Sequence, residues 1–162
     1  MSVNAVMQKM LAFSDGNLHD ICHFLKVYAY ARTIGEGEGL DSETQETLEI
    51  AAIVHDIACP LCREKYGCTN GVYQQREGMP LADELLKDAG VSDEMRKRVV
   101  YLVGHHHTLE NVDGIDYRIL LEADFLVNAD EGGLTREQTE NGKRVIFRTE
   151  TGLKLLKTIY NV

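Results

Sequence analysis

The stretch Ile-Ala-Ala-Ile-Val-His-Asp at residues 50–56 sets five apolar side chains directly ahead of an adjacent imidazole and carboxylate. A neutral imidazole and a carboxylate side by side can bind one divalent metal ion, and the apolar residues would hold the pair against a packed core. The carboxylate, Asp56, is costly to desolvate there unless it is paired or coordinates a cation. A solvent-exposed aspartate at a helix end is the ordinary alternative, so the interpretation depends on support from elsewhere in the chain.

His23 and Asp124 provide that support, because each is a ligand-type residue in a segment with helical periodicity. His23 precedes Val27 and Ala31 at four-residue steps, which places all three on one face of a helix. Asp124 lies inside an apolar run, where an unpaired carboxylate is unfavourable. An ordinary partly buried histidine is the alternative for His23, and His19, one turn earlier, competes for its role. Three separate helices with such residues favour a metal site over coincidence.

The hydrophobic pattern along the chain predicts an all-α fold, because helical spacing recurs and strand patterns are scarce. We expect a helical bundle of about six to eight helices, with helical segments near residues 3–11, 18–34, 41–54, 80–90, 92–103, 115–129 and 152–160. A chain of 162 residues with 44% hydrophobic residues fits one domain with a substantial core. The expected domain spans residues 1–162, with a core over about 18–130, an N-terminal helix and a C-terminal helical extension.

Local turn chemistry refines this outline. Asp41 or Ser42, and later Ser92, are expected to cap helices, and the glycine-rich stretch at 35–39 is expected to end the second helix. Residues 58–75 indicate a long irregular connection, and Pro80 is expected in the first turn of a helix. Gly132 and Gly133 are expected to open a polar segment that extends to about residue 142.

Composition narrows the classes of partner and compartment. The net charge of −9, from 26 acidic and 17 basic residues, opposes binding of a nucleic acid polymer, whereas a small phosphorylated compound beside a bound cation is compatible with it. No signal peptide or membrane-spanning run is apparent, so we expect a cytoplasmic protein that does not bind membranes. A homo-oligomer is compatible with the sequence.

The four cysteines are expected to be free thiols in a reducing compartment. Cys59, Cys62 and Cys68 are spaced like part of a zinc knuckle. A closed structural zinc site needs four ligands, however, and the local sequence supplies three. We therefore disfavour a zinc site at these positions.

The ordered set of His23, the His55-Asp56 doublet and Asp124 resembles the motif of the HD superfamily of metal-dependent phosphohydrolases. The resemblance covers residues from about 18 to 130. It implies a helical bundle with the site at its centre and an activity on phosphate esters or anhydrides. The Glu-Asp pair that follows the doublet in the guanosine polyphosphate hydrolases of this superfamily is absent, because Cys59 and Pro60 occupy those places.

Two imidazoles and two carboxylates suit one divalent ion, namely Mn, Fe, Co, Ni, Zn or Mg, with positions left open for water and substrate. Such an ion would lower the pKa of a bound water and neutralise charge on the phosphoryl oxygens. Asp56 would bind the ion and orient that water. Two-metal members of the superfamily carry a histidine ahead of the helix that is expected here to begin near Pro80. This chain has Gln74, Gln75 and Glu77 in that region instead, so one ion is expected.

Further candidates for the reaction lie near these ligands. His105 or His106, at the end of an apolar helix, is a candidate catalytic residue that protonates a leaving oxygen or binds phosphate. Arg63 and Lys65 are candidates to bind the outer phosphates of the substrate. Glu77 is a candidate to orient water or to bind a sugar hydroxyl. A hydrogen-bonded helix-end cluster is the alternative for the histidines, and a solvated surface is the alternative for Arg63, Lys65 and Glu77.

The sequence and the resemblance together predict a metal-dependent phosphohydrolase that acts on a small phosphorylated metabolite. The preference for a nucleotide is implied by the resemblance alone. A cyclic-nucleotide phosphodiesterase is a second enzymatic alternative. The alternative from a different functional class is a non-catalytic sensor or scaffold, which would keep the metal and bind a ligand without turnover.

Overall fold

Residues 2–162 are described by a computed structural model, and within this range the chain forms nine α-helices and no strand. The all-α class predicted from the sequence is confirmed. None of the helices in this range is both long and apolar enough to cross a membrane. The helices are α1 (Ser2–Phe13), α2 (Leu18–Glu38), α3 (Ser42–Val54), α4 (Cys59–Tyr66), α5 (Gly71–Leu86), α6 (Asp93–Val103), α7 (Ile115–Glu131), α8 (Arg136–Ile146) and α9 (Glu150–Tyr160).

Side-chain caps fix the start of several helices, and two of them were predicted. Asp41 accepts hydrogen bonds from the amides of Glu43 and Thr44 and begins α3, and Ser92 accepts one from the Met95 amide and begins α6. These bonds satisfy amides that have no partner within the helix.

The second helix is longer than the sequence indicated, because it continues past residue 34 to Glu38. Gly35 is buried inside this helix, and a Cβ atom there would lie 2.2 Å from the Gln45 side chain, so glycine allows α3 to approach closely. Gly39 ends the helix with φ at 71°, a left-handed conformation that glycine adopts without strain.

Two helices lie where the sequence analysis assigned none, and the irregular connection expected at residues 58–75 was wrong. Residues 58–75 contain α4, which has Pro60 in its first turn and ends at Gly67 with φ at 69°, and the beginning of α5. Residues 132–142 contain most of α8, which Thr135 and Gln138 begin through a reciprocal capping box. Pro80 lies in the interior of α5 rather than in its first turn. Proline has no N–H, so the carbonyl four residues earlier lacks its usual partner within the helix. Because Pro80 faces solvent, water can bind that carbonyl instead.

The third helix runs through the middle of the core. Eight consecutive residues from Thr47 to Val54 are buried, and α3 packs against α1, α2, α6 and α7. The α2 helix also packs along α7. The C-terminal end of α3 therefore opens onto α2 and α7, and this packing positions the functional site.

A buried carboxylate attaches the last helix to this core. Glu122 on α7 is fully buried, and its oxygens accept hydrogen bonds from the Arg148 amide at 2.7 Å, the Thr149 amide at 3.0 Å and the Thr149 hydroxyl at 2.5 Å. Burial raises the pKa of Glu122, although these hydrogen bonds oppose the rise. Thr149 is the cap of α9, so one carboxylate organises the start of that helix.

Replacing Glu122 with alanine should lower the free energy of unfolding by about 3 kcal/mol, because three donors, two of them in buried hydrogen bonds, lose their acceptor. Glu122→Gln retains an oxygen for the two amides and should cost less. Urea denaturation of the two variants beside the wild type measures this difference. Equal stability of Glu122→Ala and the wild type would contradict the role of this carboxylate.

Candidate metal centre and active site

The four predicted metal ligands come together at the meeting point of α2, α3 and α7. His23 is buried on α2, His55 and Asp56 directly follow α3, and Asp124 is buried in the middle of α7. The apolar positions around each of them explain this placement, since their helices turn these faces toward the core. His19, the alternative to His23, is exposed.

The ligand atoms of these residues converge on one point. The Nε2 atom of His23 lies 3.2 Å from Nε2 of His55, 3.1 Å from Oδ2 of Asp56 and 3.2 Å from Oδ1 of Asp124. The Nε2 atom of His55 lies 3.5 Å from the same Asp56 oxygen and 3.4 Å from the same Asp124 oxygen. The ligand atoms of His23, His55 and Asp56 thus lie within 4.8 Å of one another, and Asp124 adds an oxygen beside both imidazoles.

The opposite ring nitrogens fix the orientation of both imidazoles. His23 Nδ1 lies 2.8 Å from a carboxylate oxygen of Glu131, and His55 Nδ1 lies 2.7 Å from the Ala52 carbonyl oxygen. Both partners are acceptors, so each Nδ1 carries a proton, and in the neutral ring Nε2 presents a lone pair. The two lone pairs face each other and the carboxylates, an arrangement that requires positive charge between them.

The ionisation of the site also indicates that positive charge is needed between the imidazoles and the carboxylates. Burial lowers the pKa of His23, but the neighbouring carboxylates of Asp124 and Asp56 outweigh it and raise the pKa to about 11. The Asp124 carboxylate also has a buried oxygen, Oδ1, without a hydrogen-bond partner among the described residues. A divalent cation bound by these four residues would satisfy that oxygen and replace the proton on His23, so the donor set fits the predicted metal ion.

His106 extends the site on the other side of Asp56. Its Nε2 lies 3.2 Å from Oδ1 of Asp56, and its Nδ1 lies 2.8 Å from the Val103 carbonyl oxygen. With a proton on Nδ1, a favourable contact between Nε2 and the carboxylate requires either a second proton on the ring or a cation between them. Asp56, His106 and His107 form a second group whose ligand atoms lie within 4.8 Å of one another. That only one ion binds stays a prediction.

A small polar cavity opens beside the predicted ligands. Its volume is about 160 Å³, and its walls include His23, Asp56 and Asp124 together with the charged side chains of Asp20 and Arg63. Four carboxylates, those of Asp20, Asp56, Asp124 and Glu131, line it. An anionic substrate can therefore enter favourably only when cations offset these charges.

The remaining predicted residues differ in their relation to this cavity. Arg63 lines it and forms an ion pair with Asp20. Lys65 and Glu77 do not line it and instead bind each other, with Nζ and Oε1 2.8 Å apart. His105 points away from Asp56, because its ring stacks on Tyr101 with the ring centroids 4.0 Å apart. The functions of these residues stay predictions.

Several residues at the site were not anticipated from the sequence. Glu131, the partner of His23, follows Asp124 by seven residues, which is two helical turns on the same face of α7. Gln74 is buried and accepts a hydrogen bond from Nε2 of His107 at 3.1 Å. The two-turn spacing could have suggested Glu131, whereas nothing local to Gln74 indicated its contact with His107, which lies 33 residues away in the turn after α6.

The cysteines take no part in a recognisable metal site within residues 2–162. All four are free thiols, with Cys59 and Cys62 buried and Cys22 and Cys68 exposed. The ligand groups found in this range contain only histidine and aspartate.

The fold and the site together define an all-helical protein with a central cluster of histidine and aspartate that could bind a metal ion. The HD domain family model matches residues 20–149, and the chain belongs to this family. The match extends beyond the core of about 18–130 expected from the sequence and includes α8.

A solved structure supports this membership. The chain is similar to a protein from an uncultured Thermotogales bacterium, whose crystal structure is described as that of a predicted HD superfamily hydrolase. The sequence identity is 25% and the TM-score 0.67, over 99% of this chain and 83% of the other. A comparison with curated proteins gives no match.

Replacing Asp124 with alanine should abolish metal retention, because it removes a ligand from the centre of the group. The wild type is expected to hold about one ion per chain after dialysis, as measured by elemental analysis. Asp130→Ala, an exposed position on the same helix, is the control and should keep the ion. Stoichiometric metal in Asp124→Ala would refute this ligand set, and two ions in the wild type would overturn the one-ion prediction.

Glu131→Ala should weaken metal affinity by about 10- to 100-fold, because His23 loses the acceptor that orients its ring. Glu131→Gln preserves an acceptor oxygen and should have a smaller effect. Competition with a chromophoric chelator measures both affinities. An unchanged affinity in Glu131→Ala would show that the core alone orients His23.

Proposed function

We propose that this protein is a metal-dependent phosphohydrolase that acts on a small phosphorylated metabolite, with a nucleotide as the preferred class. The observation that carries the proposal is the convergence of His23, His55, Asp56 and Asp124 beside an open polar cavity. Membership in the HD domain family and the description of the Thermotogales protein as a hydrolase support it.

In this proposal the four ligands hold one divalent ion, which is Mn, Fe, Co, Ni, Zn or Mg. When bound, the ion supplies a Lewis acid that polarises the phosphoryl group and makes water more acidic. Asp56 has an oxygen on each side, one toward the ligand group and one toward His106. This carboxylate can therefore orient the attacking water while it helps to bind the ion.

His106 is the residue we propose as proton donor to the leaving oxygen. Its Nδ1 proton is held by the Val103 carbonyl, so Nε2 is the nitrogen that faces Asp56, a residue of the cavity wall. His105 lacks this position, because it is held against Tyr101. The proposal therefore retains His106 of the two histidines named from the sequence.

Arg63 is the best placed of the proposed substrate-binding residues. Its guanidinium pairs with Asp20 at the cavity wall, and exchange of this exposed pair for a phosphate would cost little. Lys65 and Glu77 would contact only parts of a substrate that extend beyond the cavity. Because ligand pockets for larger molecules measure about 300–1,000 Å³, the cavity of about 160 Å³ would hold a phosphoryl group while a nucleoside lies outside it.

A substrate screen with paired variants tests the proposal. Purified protein with Mn, Co, Ni or Mg is assayed against nucleotides, cyclic nucleotides, sugar phosphates and an aryl phosphate. We expect phosphate release that is lost in Asp56→Ala and reduced about 100- to 10,000-fold in His106→Ala, while His105→Ala retains most activity. Cleavage of cyclic nucleotides alone would indicate the phosphodiesterase instead.

The non-catalytic alternative gives a different result in the same screen. Metal retention and ligand binding without turnover, under every metal, would indicate a sensor or scaffold and overturn the hydrolase proposal. Equal loss of activity in His105→Ala and His106→Ala would contradict the specific role of His106. Circular dichroism of each variant separates loss of chemistry from loss of fold.

A further inference from the structure

A second and larger cavity lies between α1, α2 and α3. Its volume is about 670 Å³, and its walls carry none of the proposed metal ligands. Glu49, which lines it, precedes His55 by six residues, or about 9 Å along the helix. The two cavities are therefore formed by different stretches of the same core helix.

The walls of this cavity are largely apolar on one side. Val3 and Met7 of α1 line it, together with the ring of Tyr28 on α2. An apolar body of a ligand would be removed from water against these side chains. The ring face of Tyr28 would also attract a cation.

The opposite side carries net negative charge, because three carboxylates, those of Glu36, Glu46 and Glu49, line it with one guanidinium, that of Arg32. Glu49 is 8% exposed, and its Oε1 accepts a hydrogen bond from Nε2 of Gln45 at 2.8 Å. Arg32 forms its ion pair with Glu36 at 2.9 Å and interacts with Glu49 only through a weaker attraction between their charges. Glu46 accepts a hydrogen bond from the Ser2 hydroxyl. The largely buried Glu49 carboxylate is thus only partly compensated, which is unfavourable.

We propose that this cavity binds a small organic cation, namely a primary ammonium or guanidinium group attached to an apolar chain or ring. The cationic group would bind the free oxygen of Glu49, and the apolar part would pack against Met7, Val3 and Tyr28. An anionic ligand such as a nucleotide is disfavoured by the carboxylates. A hard metal ion is disfavoured because Glu36, Glu46 and Glu49 belong to no group of converging ligand atoms in the described range.

Two probes that differ only in charge test this inference on the metal-loaded protein. 2-Phenylethylammonium and 2-phenylethanol are titrated while the methyl signals of Met7 and Val3 are followed by NMR. We expect saturable shifts with the ammonium and at least about tenfold weaker binding of the alcohol. Equal affinity of both probes, or no shift at these methyl groups, would overturn the proposal without bearing on the metal centre.

Variants of one helix complete the test. Glu49→Gln retains a side chain of similar size and should weaken ammonium binding at least about tenfold. Glu43→Gln, an exposed position on α3 outside the cavity, should bind the ammonium like the wild type. Unchanged binding in Glu49→Gln would assign the probe to another site and refute the role of this carboxylate.

Discussion

Four electron-rich atoms cannot share one small buried space without a positive charge, and the arrangement of the helices depends on this requirement. His23, His55, Asp56 and Asp124 come from three helices that apolar packing brings together. Packing alone would leave their lone pairs and carboxylates in repulsion. The core thus supplies the positions of these residues, and a bound cation would supply the charge that makes those positions favourable.

The hydrogen bonds outside the ligand group have a comparable role. Glu131 and the carbonyl oxygens of Ala52 and Val103 each hold the Nδ1 proton of one histidine. Backbone carbonyls at the ends of α3 and α6 perform this function without any special side chain. His23 lies in the second turn of α2, where the nearby backbone carbonyls are already paired within the helix, so its partner comes from another helix.

Much of the fold followed from local patterns, and the failures have identifiable causes. The helix starts at Asp41 and Ser92 could be predicted because capping depends on a few adjacent residues. The α4 and α8 helices were missed because prolines, glycines and polar residues dominate these stretches, although caps and contacts with neighbouring helices stabilise them. The metal ligands were predictable since each interrupts an apolar face, whereas Gln74 and Glu131 depend on contacts between distant segments.

The complete burial of residues 47–54 has a consequence for how this sequence can diverge. One residue inserted into or deleted from α3 would rotate everything beyond it by about 100° about the helix axis. The imidazole and carboxylate of the doublet would then swing away from α2 and α7, and apolar side chains would face the wrong neighbours. Changes of chain length are therefore confined to the connections between helices, while α3 can vary only by replacement at fixed register.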